Sequence, residues 1–131
     1  MTPLAPSLPL TFTARVVEGA GRGRMIGSPT LNVSLQDVPK SMREGIYACR
    51  VQIGNKRLLA AMHFGPRPVF HDTRTCEIHL IDHSLLRRPS RLTVDVVKRI
   101  RNIRNFRTIA LLQKQIAQDV VKTRNLLKRK A

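Results

Sequence analysis

Acidic residues, aromatic residues, cysteines and long apolar runs are all scarce in this chain. Its 131 residues include only 8 aspartates and glutamates, 2 cysteines and 4% aromatic residues. No apolar run approaches the roughly 20 residues that a membrane-spanning helix needs, so we predict no transmembrane segment and no membrane partner. Cys49 and Cys76 lie in apolar segments and lack zinc-type spacing. They are therefore predicted to be buried, reduced thiols in a cytoplasmic protein.

The N-terminal ten residues contain three prolines and no basic side chain. This composition does not match a secretory signal peptide, and it predicts an extended, proline-rich lead-in over residues 1–9. The rest of the chain, residues 10–131, has a length that suits a single domain with one core.

Positive charge is what the chain has in excess. The formal net charge is +16, and the segment from Arg87 to Ala131 contains 14 basic residues and only 2 acidic ones. A field of this kind attracts polyanions such as nucleotides and nucleic acids. The alternative is a solvated basic helix with a charged tail. We expect non-specific nucleic-acid affinity from this basic C-terminal third, whether or not such binding is its function.

The apolar pattern predicts a mainly β domain with one helix at the end. Gly54-Asn55 between two apolar segments predicts a β-hairpin, and the strand spacing favours a small antiparallel barrel of six strands. Apolar residues then recur at helical spacing from Ile109 to Leu127, with Thr108 as the N-cap, which predicts a helix over about 108–128 packed across the barrel. The predicted strands are Leu10–Val17, Leu31–Leu35, Gly45–Ile53, Arg57–Phe64, Thr75–Asp82 and Leu92–Val97.

A glycine-rich loop precedes the second predicted strand. Glycines allow a backbone to approach a bulky anion closely, and arginines donate forked hydrogen bonds to phosphate. In an extended segment Thr30 and Asn32 share one face, so that their oxygens can bind one hard cation. The alternative is an ordinary glycine-rich turn before a strand. The loop residues concerned are Gly21, Arg22, Gly23, Arg24, Gly27 and Pro29.

Five ordered blocks resemble the riboflavin kinase (flavokinase) family. The segment from Gly21 to Asn32 is similar to its opening motif G-R-G-x-x-x-G-x-P-T-x-N, and Gly45–Ala48 to its G-[IV]-Y-A strand. Phe64–Phe70 resembles its I-G-x-R-P-T-F turn, and Glu77–Asp82 its E-[VI]-H-[LI]-[LI]-D strand. The closing pattern R…F…L-x-x-Q-I-x-x-D is matched by Arg101, Phe106, Leu112, Gln115, Ile116 and Asp119.

The resemblance implies a six-stranded antiparallel Greek-key barrel with a C-terminal helix. It also implies a reaction in which the γ-phosphate of ATP is transferred to the 5′-hydroxyl of riboflavin, giving FMN and ADP. Thr30 and Asn32 would hold Mg²⁺ with the nucleotide phosphates, and Glu77 would act as general base. The residues implied to bind the nucleotide are Gly21, Arg22, Gly23, Arg24, Gly27, Pro29, Thr30, Asn32 and Arg101.

The residues themselves leave alternatives for the predicted base. Glu77 and His79 share one face of a strand whose other face is apolar, so they are either site residues or the solvated face of an ordinary strand. His79 can equally well be a structural histidine, with its ring hydrogen-bonded, as a site residue.

Several positions depart from the family pattern. Ser28 replaces an aromatic residue and Val69 a threonine, while Ile103 replaces the acid of an R-x-E pattern. Residues 86–89 replace the end of an F-x-x-D-L-Y-G segment. The phosphate half of the predicted site is therefore better matched than the flavin half.

Two classes of function follow. The first is a riboflavin kinase that acts as a monomer on riboflavin and ATP. The alternative is a catalytically impaired barrel of the same type that serves as a basic nucleic-acid- or ribosome-binding protein. A flavin sensor without turnover is a third possibility.

Overall fold

Six strands and one long helix organise the residues that the computed structural model describes, which are 7–18, 30–66 and 74–128. A short 3-10 helix, Leu35–Asp37, follows the second strand. The helix α1 covers Ile109–Leu127. The strands are β1 (Leu10–Val17), β2 (Thr30–Val33), β3 (Gly45–Ile53), β4 (Lys56–Pro66), β5 (Arg74–Leu80) and β6 (Arg91–Arg101).

The strands form a closed barrel in the order β1-β2-β5-β4-β3-β6. Every neighbouring pair is antiparallel. Strands β3, β4 and β5 are consecutive neighbours, and β6 returns to lie beside β3, which is the Greek-key arrangement. The predicted six-stranded Greek-key barrel is confirmed.

Alternation along the strands fills the barrel interior with apolar side chains. In β6, for example, Leu92, Val94 and Val96 are buried in the core, and the residues between them are more exposed. Both cysteines lie in this core as free thiols with exposures of 0% and 1%, as predicted. Burial, together with the nearby charge of Glu77, raises the pKa of Cys76 to about 12, so this thiol stays protonated at neutral pH.

Several predicted strand ends are wrong. β2 ends at Val33 instead of Leu35, because the chain turns into the 3-10 helix, where the Asp37 carboxylate accepts hydrogen bonds from Arg15 N and Nε at 2.9 and 3.0 Å. β5 ends at Leu80, and Asp82 has a left-handed φ of 56° that strands do not adopt. β6 continues past Val97 to Arg101, because it keeps its pairing with β3 across two register shifts.

The helix packs against the outside of β3, β4 and β6. Its N-cap is Thr108, whose side-chain oxygen accepts a hydrogen bond from Leu111 N at 3.1 Å, as predicted. Apolar residues of the barrel's outer surface are buried apart from the main core, and so are two leucines of α1. These residues are Ile46, Ala48, Ala61, Ile81, Leu112 and Leu127.

An ion pair fastens the helix to the end of β6. Arg101 donates from Nη2 and Nε to the two carboxylate oxygens of Asp119 at 2.8 and 2.9 Å. The Arg101 side chain is 16% exposed and that of Asp119 is 7% exposed. Gln115 Nε2 donates to the same carboxylate at 3.1 Å, so that Asp119 is bound from both sides.

In the described part of the chain, no helix is long and apolar enough to cross a bilayer.

Candidate active site

The pairing of β2 with β5 brings three predicted site residues to one surface of the barrel. Asn32 is directly opposite Glu77, and Thr30 is directly opposite His79. The residues that alternate with them, Leu31 on β2 and Ile78 on β5, pack in or against the core. Thr30, Asn32 and Glu77 therefore point outward together, and Cβ atoms of directly opposed residues lie about 4.5–5.5 Å apart.

A histidine that sequence reasoning missed lies on the other side of Glu77. His63 of β4 is the cross-strand partner of Glu77, and His63 Nδ1 lies 3.9 Å from Glu77 Oε2. The two side chains are only 15% and 18% exposed. Glu77 on β5 thus lies between Asn32 on β2 and His63 on β4, in one row across the three strands. The alternation of β4 between Met62 and Phe64 was a signal that His63 faces outward, but its neighbour could be found only from the strand order.

An open pocket of about 440 Å³ adjoins this row. Asn32 lines it together with Glu18 at the end of β1 and Arg74 and Thr75 at the start of β5. Arg74 is held in place by an ion pair with Glu44 at 3.0 Å, and its guanidinium lies 5.3 Å from the centre of the Phe64 ring. The pocket therefore combines an amide oxygen that suits a cation with a guanidinium that suits phosphate.

The residue types on this face suit a hard divalent cation. Thr30 carries a hydroxyl and Asn32 an amide oxygen, Asn32 is opposite the carboxylate-bearing Glu77, and Mg²⁺ prefers oxygen ligands of these kinds. Among the described residues, no group of three or more His, Cys, Asp or Glu side chains is placed to hold a metal ion. A cation at Thr30 and Asn32 would therefore need phosphate and water to complete its ligand shell, as Mg²⁺ in nucleotide sites does.

Arg101 lies apart from this group. Along the cross-strand row, Glu77 of β5 is followed by His63 of β4, Ile46 of β3 and then Arg101 of β6. Because its guanidinium binds Asp119, Arg101 fastens the helix in this structure. Its predicted contact with the nucleotide stays a prediction.

The glycine loop falls outside the described residues. Gly21, Arg22, Gly23, Arg24, Gly27 and Pro29 all lie in the segment 19–29, and Thr30 is the first described residue after it. Their predicted role in binding the nucleotide phosphates stays a prediction.

The predicted flavin half is built from irregular chain. Residues 81–90 connect β5 to β6 without regular structure, and Leu86 in this connection is fully exposed. Ile103, which replaces the acid of the family pattern, covers the backbone of Gly65, where a Cβ atom would lie 3.0 Å from Ile103 Cγ1. An apolar contact thus occupies a position where the family pattern has a carboxylate.

Comparison with known proteins agrees with this architecture. The sequence model of the family described as Flavokinase, riboflavin kinase, matches residues 6–127. A bifunctional riboflavin kinase/FMN adenylyltransferase from Escherichia coli is 36% identical over 126 residues, which cover 92% of this chain and 40% of that protein. The chain therefore spans about 40% of the length of this relative.

Two solved structures are similar in fold. The crystal structure of a protein from Streptococcus pneumoniae, described as a macrolide-efflux protein, has a TM-score of 0.77 and 29% identity and covers 89% of this chain and 39% of that chain. The riboflavin kinase of Trypanosoma brucei has a TM-score of 0.62 and 21% identity and covers 93% of this chain and 82% of that one. On the family match, the barrel and the helix, this chain belongs to the riboflavin kinase family.

Proposed function

We propose that this chain is a riboflavin kinase that transfers the γ-phosphate of ATP to the 5′-hydroxyl of riboflavin and so forms FMN and ADP. The observation that carries the proposal is the register of β2 with β5, which sets Asn32 opposite Glu77 and Thr30 opposite His79, two residue pairs further along on the same face. A carboxylate and two neutral oxygen-bearing side chains therefore face the same side of two neighbouring strands. Phosphoryl transfer needs such groups mainly to position the nucleophile and to neutralise charge.

In the proposed reaction, Glu77 accepts the proton of the riboflavin 5′-hydroxyl while that oxygen forms a bond to the γ-phosphorus. The bond between the γ-phosphorus and the bridging oxygen breaks, and ADP leaves. Thr30 and Asn32 would hold Mg²⁺, which would neutralise charge on the phosphates. His63, 3.9 Å from Glu77, limits the orientations open to the carboxylate. The segment 19–29 would supply the backbone and arginine contacts to the phosphates.

The test is FMN formation from riboflavin, ATP and Mg²⁺, measured by chromatography with flavin fluorescence. Glu77→Gln keeps the size of the side chain and removes the base, so we expect kcat to fall by about 10²- to 10⁴-fold while ATP still binds. The matched control is Asp95→Asn, which makes the same kind of change, from acid to amide, outside the proposed site. Asp95 lies on β6 in an ion pair with Arg57. The control should retain the parent's kcat.

Two outcomes would contradict the proposal. If the folded parent makes no FMN, the reaction is wrong for this chain. If the parent makes FMN and Glu77→Gln retains its rate, the reaction is right and the role of Glu77 is wrong. The monomeric state and the cytoplasmic location stay predictions.

A further inference from the structure

The outward side of α1 carries lysine and amide side chains in alternation. Five residues from Lys114 to Lys128 follow one another at intervals of four, four, three and three residues, which keeps them on one side of a helix. All five are exposed, whereas the buried residues of α1 face the barrel. At 1.5 Å per residue the row is about 21 Å long. We call this row the lysine–amide stripe, and it consists of Lys114, Gln118, Lys122, Asn125 and the C-cap Lys128.

Among the described residues, no ion pair joins an acidic side chain to a lysine of the stripe. Only two acidic residues occur after Arg87, and both are engaged in ion pairs. Asp95 binds Arg57 at 2.6 Å, and Asp119 binds Arg101 at 2.8 Å. The carboxylate of Asp82, which precedes this segment, is bound by Arg124 of α1. Lys122 Nζ donates to the backbone oxygen of Ile100 at 3.4 Å, a neutral partner that leaves its charge in place. The lysines therefore present a positive field to solvent.

A surface groove follows the stripe. The groove is open and has a volume of about 740 Å³. It is lined by four of the stripe's residues, Lys114, Gln118, Lys122 and Asn125, and by the apolar residues Ala117, Val121 and Leu126. None of its described lining residues is aromatic. Of the four aromatic residues that the structure describes, Phe12, Tyr47 and Phe64 are buried in the barrel. The fourth, Phe106, is half-buried under the Arg104 guanidinium in a neighbouring pocket that Lys114 and Gln118 also line. The lysines and amides of this groove suit contacts to phosphate and sugar, and its described lining offers no ring on which an unpaired base could stack.

We propose that the lysine–amide stripe binds the backbone of double-stranded RNA. The lysines neutralise phosphates, and a duplex presents phosphates at high density. Gln118 and Asn125 can both donate and accept hydrogen bonds, which suits the ribose 2′-hydroxyls exposed in the shallow minor groove of A-form RNA. The binding needs neither flavin nor ATP, so this proposal does not depend on the proposed kinase activity.

The experiment measures fluorescence anisotropy of a labelled RNA duplex of about 20 base pairs, without flavin or nucleotide, from about 50 to about 200 mM KCl. The triple variant Lys114→Gln, Lys122→Gln, Lys128→Gln removes the lysines. We expect it to bind RNA at least about 10-fold more weakly. The slope of the logarithm of the association constant against the logarithm of the salt concentration should become less steep by about 2 to 3.

The matched control removes the same charge elsewhere. Lys40→Gln, Arg43→Gln and Lys56→Gln change three exposed cations outside the helix. This variant should stay within about 3-fold of the parent if the stripe is the site, since only contacts to phosphate set the salt slope. An equal loss in both triple variants would show that net charge alone drives binding, and would overturn the proposal.

The amides are tested by comparing RNA with a DNA duplex of the same sequence. The parent should prefer RNA, and Gln118→Ala with Asn125→Ala should reduce that preference while the salt slope stays the same. A parent that binds both duplexes equally would overturn the 2′-hydroxyl contacts. A parent that binds vesicles of anionic phospholipid but neither duplex would overturn the choice of nucleic acid.

Discussion

The two halves of the proposed site are held by different kinds of structure. The ladder half consists of Thr30, Asn32, Glu77 and His63 on three neighbouring strands, where backbone hydrogen bonds set the position of each residue. The loop half consists of residues 81–90 and 102–108, which connect β5 to β6 and β6 to α1 without regular structure. The family pattern is matched at Thr30, Asn32 and Glu77 in the ladder half, whereas its departures at residues 86–89 and Ile103 lie in the loop half.

This difference shows where the fold constrains sequence. A change of register by one residue would turn Asn32 and Glu77 into the core, so the pairing of the strands in the ladder half cannot shift gradually. A connection can exchange residues while its ends stay fixed. The exposed Leu86 and the Ile103–Gly65 contact are changes of this kind.

The largest expected effect is at the junction of the two halves. Asp119→Ala leaves Arg101, which is 16% exposed, without its carboxylate at the point where β6 ends and residues 102–108 begin. We expect the free energy of unfolding to fall by about 3–5 kcal/mol, since this substitution breaks a buried ion pair. Denaturant unfolding measures the change.

The matched control for this prediction is an exposed ion pair. Asp82→Asn removes the charge that pairs with Arg124 and keeps a residue that tolerates the left-handed φ of position 82. The Asp82 side chain is 69% exposed. The substitution should cost about 1 kcal/mol or less. Similar losses in the two variants would mean that the Arg101–Asp119 pair does not fasten the helix.

A smaller effect is expected within the ladder half. Asn32→Ala removes one of the two proposed neutral oxygen ligands, so we expect the Mg²⁺ concentration for half-maximal FMN formation to rise about 10-fold, which corresponds to about 1.4 kcal/mol. Thr30→Ala should act in the same direction. Asn55→Ala, in the exposed β3–β4 turn, is the control and should leave the Mg²⁺ requirement unchanged. An unchanged requirement in Asn32→Ala would remove Asn32 from the cation site.

The smallest effect is expected in the loop half. Leu86 is fully exposed, and Leu86→Ser should change the free energy of unfolding by no more than about 0.5 kcal/mol in either direction. Thermal or denaturant unfolding measures this. A loss above about 1 kcal/mol would show that the connection contributes to the core, and the contrast between the two halves would weaken.

Local signals in the sequence predict much of the fold. Gly54, with a φ of 59°, supplies the left-handed residue that the β3–β4 turn needs, and Thr108 caps the helix as its position suggested. Strand ends were harder to predict. The basic end of β6 resembles a loop, and only its pairing with β3 shows that it is a strand.

Motifs that lie along one strand predict candidate residues that the structure brings together, and a further candidate depends on pairing between strands. Thr30, Asn32 and Glu77 follow from motifs. His63 does not, because its proximity to Glu77 arises from the alignment of β4 with β5. Arg101 matches a motif, but the motif does not tell whether its guanidinium binds a nucleotide or Asp119. In the structure it binds Asp119.

The closure of the barrel also affects the order in which the protein can assemble during synthesis. β1 pairs with β6 in a register that joins Leu10 to Val96, so the first strand has no partner on that side until most of the chain has left the ribosome. Strands β2 and β5, which carry Asn32 and Glu77, can pair earlier. Asp119 emerges later than any of the strands. A nascent chain that stops before Arg91 would therefore hold the proposed catalytic residues on an open sheet with unpaired edges.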